Sequence, residues 1–249
     1  MNIGIVIQAR MSSTRFPGKI LKPFHEGKTM LDIILDKLHR ATEAKVIVAT
    51  STNPNDTLLA DYLSENNELV FRGSENDVLD RFIKAAETYQ LDGIIRICSD
   101  NPFLDPDGII TLLDKANNSN AQYIGFRING LPSIKTHFGF WGEFVTLEAL
   151  KKVATTSINL QDHEHVTIHV YSHPDDYHCE WIDCPDFIQG RDDIRLTVDT
   201  PEDFANAQQV YSDLSAQCPN FGLKDVVQYI DDHEELKASM KKNIHQNTK

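Results

Sequence analysis

The first half of the chain alternates short apolar runs with amphipathic stretches, and this alternation constrains the fold more than any other feature. IGIVI at 3–7 is a continuous β-branched run of the kind found in a strand buried on both faces. KVIVAT (45–50), ELVFRG (68–73) and GIIRICSD (93–100) repeat the pattern. Between them, MLDIILDKLHRA sets Met30, Leu31, Ile34, Leu35 and Leu38 at helical spacing, and DVLDRFIKAAETY does the same with Val78, Phe82, Ile83 and Ala86. LLADYLSEN and PDGIITLLDKA supply two more helical segments, the first after the turn signal Asn53-Pro54-Asn55-Asp56. Strands that alternate with helices of this length predict βαβ units and a mostly parallel sheet, an α/β fold. Ligands of such sheets bind beyond the carboxyl ends of the strands. Three polar segments fall there: Gln8–Lys19, Arg72–Asp77 and Ser99–Asn101.

From about 122 to 190 the period breaks down, and this stretch holds both tryptophans and several of the histidines. Its short strand-like pieces, HVTIHVY among them, predict a β-rich insertion serving as acceptor or dimerisation subregion. RLTVDT (195–200) reads as a returning strand, and TPEDFANAQQVYSDL as a closing helix. Residues 237–249 have few apolar side chains and read as a flexible tail. No repeat or linker divides residues 1–249, so a single domain is expected. With 41% hydrophobic residues a large core is available, while a net charge of −13 argues against binding duplex nucleic acid. No run reaches the ~18 apolar residues of a membrane span, and MNIGIVIQAR is too short for a signal peptide. Four cysteines without a CxxC pair fit reduced thiols and a cytoplasmic setting.

The loop QARMSSTRFPGK is the most informative stretch. It sets Arg10, Arg15 and Lys19, with Ser12, Ser13 and Thr14, between a buried strand and a helix. Backbone amides and fixed cations suit a triphosphate. The loop is neither a Walker A sequence nor GxGxxG; the plain alternative is a solvated basic loop. Asp100 and Asp199 each close an apolar run, GIIRICSD and RLTVD. Two such carboxylates either converge as hard oxygen ligands for Mg²⁺ or cap turns before Pro102 and Pro201. Asp105-Pro106-Asp107 mimics a DxD metal motif but sits at a helix start, where acids are favoured electrostatically. Asp162, His163, Glu164, His165, His169 and His173 invite a zinc reading, yet there is no HExxH and no cysteine pair. Alternation places His165, Thr167, His169 and Tyr171 on one face of a predicted strand.

The loop resembles that of the cytidylyltransferases which activate Kdo and N-acylneuraminate, and resembles the spore-coat polysaccharide protein F family more closely still. VFRGSENDVLDRF, RICSDNPFLDP, HEHVT and RLTVDTPEDF are similar to that family's blocks in the same order, over about residues 3–210. The resemblance implies a GT-A-like, Rossmann-type nucleotide-diphospho-sugar transferase fold. It implies a Mg²⁺-dependent enzyme that joins CMP from CTP to an acidic or surface-polysaccharide sugar, releasing pyrophosphate and working as a homodimer. It places Arg10, Lys19 and Asp100 in catalysis, and Ala9, Arg10, Ser12, Ser13, Arg15, Lys19, Ser99 and Asp100 around the nucleotide. Arg72, Ser74 and Asn76 would lie beside base and ribose, although Ser74 or Asn76 also suits a helix N-cap. Asp100 and Asp199 would hold the metal. Glu164 and His165 would line the acceptor side, where Arg127, Lys135 and Arg195 are the cations available to an acceptor carboxylate or phosphate.

Two departures stand out. The family usually has Gly-Asp where this chain has Ser99-Asp100, and Cys-Pro or Glu-Pro where it has Asn101-Pro102. PSIKTHFGFWGEFVTLEAL replaces a glycine-rich segment; its Phe138, Phe140, Trp141 and Phe144 are core, dimer contacts or a sugar-stacking wall. A GT-A glycosyltransferase, which would consume a nucleotide-sugar, and a non-catalytic nucleotide- or sugar-binding module are the competing readings. Release of pyrophosphate from CTP separates the first from a cytidylyltransferase, and turnover of any kind separates the second.

Overall fold

The computed structural model describes residues 1–246. Strand β1 (Ile3–Gln8) leads through a loop and a hairpin, β2 (Pro23–His25) and β3 (Lys28–Thr29), into helix α1 (Met30–Ala41). There follow β4 (Val46–Ser51), α2 (Thr57–Glu65), β5 (Leu69–Gly73), α3 (Val78–Thr88), β6 (Gly93–Cys98) and α4 (Pro106–Asn118). The middle carries β7 (Tyr123–Ile128), β8 (Leu131–Pro132), β9 (Glu143–Thr146), α5 (Leu147–Thr156), α6 (Leu160–His165), α7 (Ile168–Ser172) and β10 (Cys179–Asp183). Helices α8 (Pro201–Gln217), α9 (Leu223–Asp232) and α10 (Glu234–Gln246) close the chain.

The central sheet runs β10-β7-β9-β6-β1-β4-β5, with β8 paired to β7. Neighbours pair in parallel except at β9, which opposes both β6 and β7, and at β8. This mixed α/β, Rossmann-like arrangement follows from the apolar runs, which need cover on both faces. Ile5 and Ile7 share one core with Leu31 and Leu35 of α1 and Ile109 of α4, whereas Val6 joins Ile47, Phe82 of α3 and Leu150 of α5 on the other face. The predicted stripe of α1, Met30, Leu31, Ile34, Leu35 and Leu38, is buried as a unit. Thr29 opens that helix with a capping box, its side chain accepting from the Asp32 amide at 3.1 Å while Asp32 answers the Thr29 amide at 2.7 Å. Thr29→Ala is expected to cost about 1 kcal/mol, read as a lower urea midpoint at constant slope.

After β1 the chain builds outward to β4 and β5, then crosses back to lay β6 on the other side of β1. That reversal opens a crevice at the carboxyl ends of β1 and β6, where the Ser99 amide donates to the Gln8 carbonyl at 3.2 Å. The reversed direction of β9 completes the site. Its first residue, Glu143, is registered against Arg96 near the carboxyl end of β6, so the segment feeding β9, residues 133–142, lies over the same rim.

Three expectations are corrected here. HVTIHVY is not a strand: α6 and α7 flank Val166, and Val166 and Val170 are buried at helical spacing. A short β-branched run does not fix its own period. RLTVDT joins no ladder and bends at Thr197. The Leu196 and Thr197 amides donate to the His137 carbonyl (2.8 and 3.1 Å) and Val198 to the Asp100 carbonyl (3.0 Å), so loops take the place of a neighbouring strand. Residues 237–246 form most of α10 rather than a flexible tail, because Leu236 and Met240, one helical turn apart, are buried against the core; residues 247–249 of that expectation lie outside the described residues. The insertion expected at 122–190 is built into the sheet: β7, β9 and β10 extend the central sheet, and three helices accompany them.

Candidate active site

The loop after β1 is folded against the protein by its own backbone. Ala9 continues the strand, its amide donating to the Ala49 carbonyl at 3.2 Å. The Met11 amide donates to buried Asp56 at 2.6 Å, and Asp56 is itself held by the Ser51 hydroxyl. Gly18 turns the chain at φ 70°, a left-handed conformation that suits glycine, and its amide returns to the Met11 carbonyl at 3.1 Å. Ser13 is used inside the loop, accepting from the Phe16 amide at 3.4 Å, and Ser12 is half-buried.

This folding delivers the loop cations to the two carboxylates. Lys19 Nζ lies 3.4 Å from Asp100 Oδ2 and also donates to the Val198 carbonyl. Arg15 reaches Asp199 Oδ1 at 2.8 Å. Arg10 meets Glu164 at 3.5 Å, a half-exposed pair worth little to stability. Asp100 and Asp199, remote in sequence, therefore flank one cleft of about 510 Å³. Arg15, Asp100, Asp199, Lys135, His165 and Tyr171 all line it, and Phe138, Phe140 and Trp141 form an apolar wall that is continuous with the core.

Beneath the cleft lies a buried polar network. Arg96 donates to Glu143 at 2.7 Å and to Gln8 at 3.0 Å; Glu143 also accepts from the Tyr123 and Thr167 hydroxyls, each at 2.7 Å. Arg96 and Glu143 are nearly inaccessible, yet Arg96 still contributes to the cleft lining. Neither residue was among the sequence candidates. The available signal was a charge inside the apolar run GIIRIC, since a buried guanidinium requires a partner. The same network fixes His165. Val166 adopts φ 58°, and the Thr167 amide donates back to the His165 carbonyl at 2.6 Å, a γ-turn costly for a β-branched residue. Thr167 is pinned by Glu143, so the sharp turn leaves His165 at the cleft. Desolvation there lowers the His165 pKa, and the charge of Arg96 lowers it further, so the ring is neutral at pH 7.

Other candidates sit elsewhere. Arg72 donates to the carbonyls of Ser51 and Asn53 (both 3.0 Å) and to Thr57, tying down the turn after β4. Neither Ser74 nor Asn76 caps α3; the cap is Asp77, accepting from Asp80 at 2.8 Å, while Ser74 braces the Asp77 amide and Asn76 is exposed. Arg127 pairs with exposed Asp183 at 2.9 Å and does not line the cleft. Arg195 is fully buried and grips Asp203 at 2.7 and 2.9 Å, with Asp199 at 3.0 Å, so it positions Asp199 rather than facing an acceptor. Burial would raise the Asp203 carboxyl, but Arg195 and the Asp199 and Thr200 amides hold it below its ordinary pKa. Asp105 caps α4, accepting from Gly108 at 3.2 Å and Trp141 at 3.1 Å, with Asp107 in the first turn. His163 and His169 bond to Asp77 and Asp162, each at 2.8 Å.

A cation-bearing loop facing two carboxylates, at the reversal point of a mostly parallel sheet, is the build of a nucleotidyltransferase. Residues 4–239 match the model of the Cytidylyltransferase family. The chain is 31% identical over 216 residues to spore coat polysaccharide biosynthesis protein SpsF of Bacillus subtilis, covering 84% of this chain and 86% of that one. A cytidylyltransferase structure from Leptospira borgpetersenii superimposes with a TM-score of 0.80 at 29% identity, over 95% of this chain and 96% of that one. A CMP:2-keto-3-deoxy-manno-octonic acid synthetase complexed with CTP shares the fold, with a TM-score of 0.62 at 15% identity, over 87% of this chain and 99% of that one. The chain belongs to the cytidylyltransferase family and is a nucleotidyltransferase. Among the described residues no helix is long and apolar enough to cross a membrane.

Proposed function

We propose that this enzyme transfers CMP from CTP to a hydroxyl of a sugar acceptor and releases pyrophosphate. The observation that carries the reading is the convergence of Lys19 on Asp100 and Arg15 on Asp199 at one cleft. The names of the relatives, a surface-polysaccharide protein and a synthetase of an activated sugar acid, support the acceptor class.

Loop amides with Arg10, Arg15 and Lys19 bind and orient the triphosphate, and binding draws Arg15 and Lys19 from carboxylate to phosphate oxygens. The freed carboxylates are an all-oxygen donor set that fits Mg²⁺. Among the described residues no cluster of three His, Cys, Asp or Glu side chains forms a metal site, and Mg²⁺ commonly takes one or two carboxylates and completes its shell with water and substrate phosphate. When bound, the ion supplies charge that makes the α-phosphate electrophilic and stabilises the leaving pyrophosphate. Arg195 and Asp203 hold Asp199 in place. Neutral His165 stands on the acceptor side, able to accept a hydrogen bond from an incoming hydroxyl. The chemistry is positioning and charge stabilisation, with no covalent intermediate required.

The test is pyrophosphate release with Mg²⁺, each of the four nucleoside triphosphates and a panel of acidic sugars. Release that depends on CTP and on one acceptor supports the reading, whereas a nucleoside diphosphate product from a nucleotide-sugar would replace it with glycosyl transfer. Lys19→Ala is expected to lower kcat/KM for CTP at least about tenfold through loss of a charge-assisted contact. Unchanged CTP kinetics would remove Lys19 from the site.

A further inference from the structure

Two polar atoms beside the carboxylates have no partner. Asn101 Oδ1 and Thr197 Oγ1 are buried without a hydrogen bond, and both residues line the cleft. Asn101 is 5% exposed and Thr197 3%, so bulk water does not satisfy them. Native proteins rarely leave such groups orphaned, and each one calls for a reason. Their places in the chain suggest one. Asn101 follows Asp100 directly. Thr197 precedes Asp199 by two residues, and both line the cleft.

Gly139 is the third part of the arrangement. It lines the same cleft at φ 67°, and a Cβ there would stand 2.8 Å from Asn101 Oδ1 and 3.1 Å from Thr197 Cγ2. Gly139 therefore packs directly against the Asn101 amide and the Thr197 methyl, where a side chain would collide. Around them Phe138 and Phe140 offer no hydrogen-bonding atoms from their side chains.

We propose that Asn101 and Thr197 form a hydroxyl-reading subsite that binds a hydroxyl of the acceptor beside the one that attacks, and so selects the acceptor. This rests on the reading that the cleft takes a hydroxylated acceptor. The amide oxygen accepts from a ligand O–H, and the threonine hydroxyl either donates or accepts, so a sugar diol satisfies both. A deoxy analogue leaves the two groups orphaned and is rejected, as sites built around a substrate hydroxyl reject analogues that lack it.

The experiment uses the full-length chain, CTP and Mg²⁺, with a panel of 2-keto-3-deoxy sugar acids and sugar 1-phosphates, following whichever acceptor the wild type uses. Thr197→Val exchanges the hydroxyl for a methyl of the same shape, and Asn101→Leu removes the amide. Each is expected to lower kcat/KM for the acceptor at least about tenfold, with KM for CTP unchanged. The urea midpoint of Thr197→Val should equal or exceed that of the wild type, because an unsatisfied group has been removed, and Thr197→Ser should keep most of the activity. Acceptor kinetics like the wild type in both variants would overturn the subsite alone. So would a loss of activity that tracks a fall in the urea midpoint. No pyrophosphate from the wild type with any acceptor, despite CTP binding, would overturn the hydroxylated-acceptor reading and the subsite with it.

Discussion

Asp100→Asn is expected to lose at least about a thousandfold in kcat, the scale of removing several kcal/mol of charge stabilisation at the reacting phosphate. The carboxylate lies at the cleft, partly exposed and 3.4 Å from Lys19, rather than in the packed core. The amide keeps the shape but loses the charge that would hold a hard cation, so the urea midpoint should stay within error of the wild type. Kinetics measured across a Mg²⁺ titration decide the matter. Turnover restored to normal at any magnesium concentration would rule out Asp100 as an essential ligand, and Asp199→Asn should behave similarly if the two carboxylates act together.

The second large effect concerns stability. Glu143→Ala strands Arg96 in the interior and takes the acceptor from the Tyr123 and Thr167 hydroxyls. Breaking one side of a buried pair costs about 3–5 kcal/mol, enough to remove much of the stability of an ordinary domain. Equilibrium urea unfolding measures the loss, and a change below about 1 kcal/mol would contradict a buried, paired Arg96. Replacing both members, Arg96→Met with Glu143→Leu, should recover most of it, since a well-packed apolar pair can match a buried ion pair. Activity should not return with stability. The double variant also loses the anchor of Thr167, and with it the turn that leaves His165 at the cleft.

The sheet was legible because its strands are buried on both faces and its helices carry regular stripes: Ile5, Val6 and Ile7 admit few other packings. The meeting of loop cations and carboxylates was legible for a related reason. Asp100 sits two residues after β6, and Arg15 and Lys19 lie on the loop that leaves β1, so topology puts that loop at the crevice. Asp199 was found with a wrong rationale, since its segment borrows hydrogen bonds from His137 and Asp100 rather than from a strand. The rest of the cleft was poorly legible. Arg195 looks like a free cation in sequence because Asp203, which consumes it, lies on the next helix. HVTIHVY misleads because the γ-turn at Val166 rests on Glu143, a contact from a distant strand that local periodicity does not register. Arg96 was overlooked inside an apolar run, where its charge was the clue.

The reversed strand β9 bears on how such an enzyme can diversify. Residues between β7 and β9 are fastened at both ends to the sheet, and what lies between them hangs over one rim. Insertions or rewritten side chains in that span would remodel the apolar wall while the loop after β1 and the end of β6 keep their register. Under the proposed function, a lineage could change its acceptor while leaving the loop after β1 as it is, and grafting this span between relatives is the natural way to exchange one specificity for another.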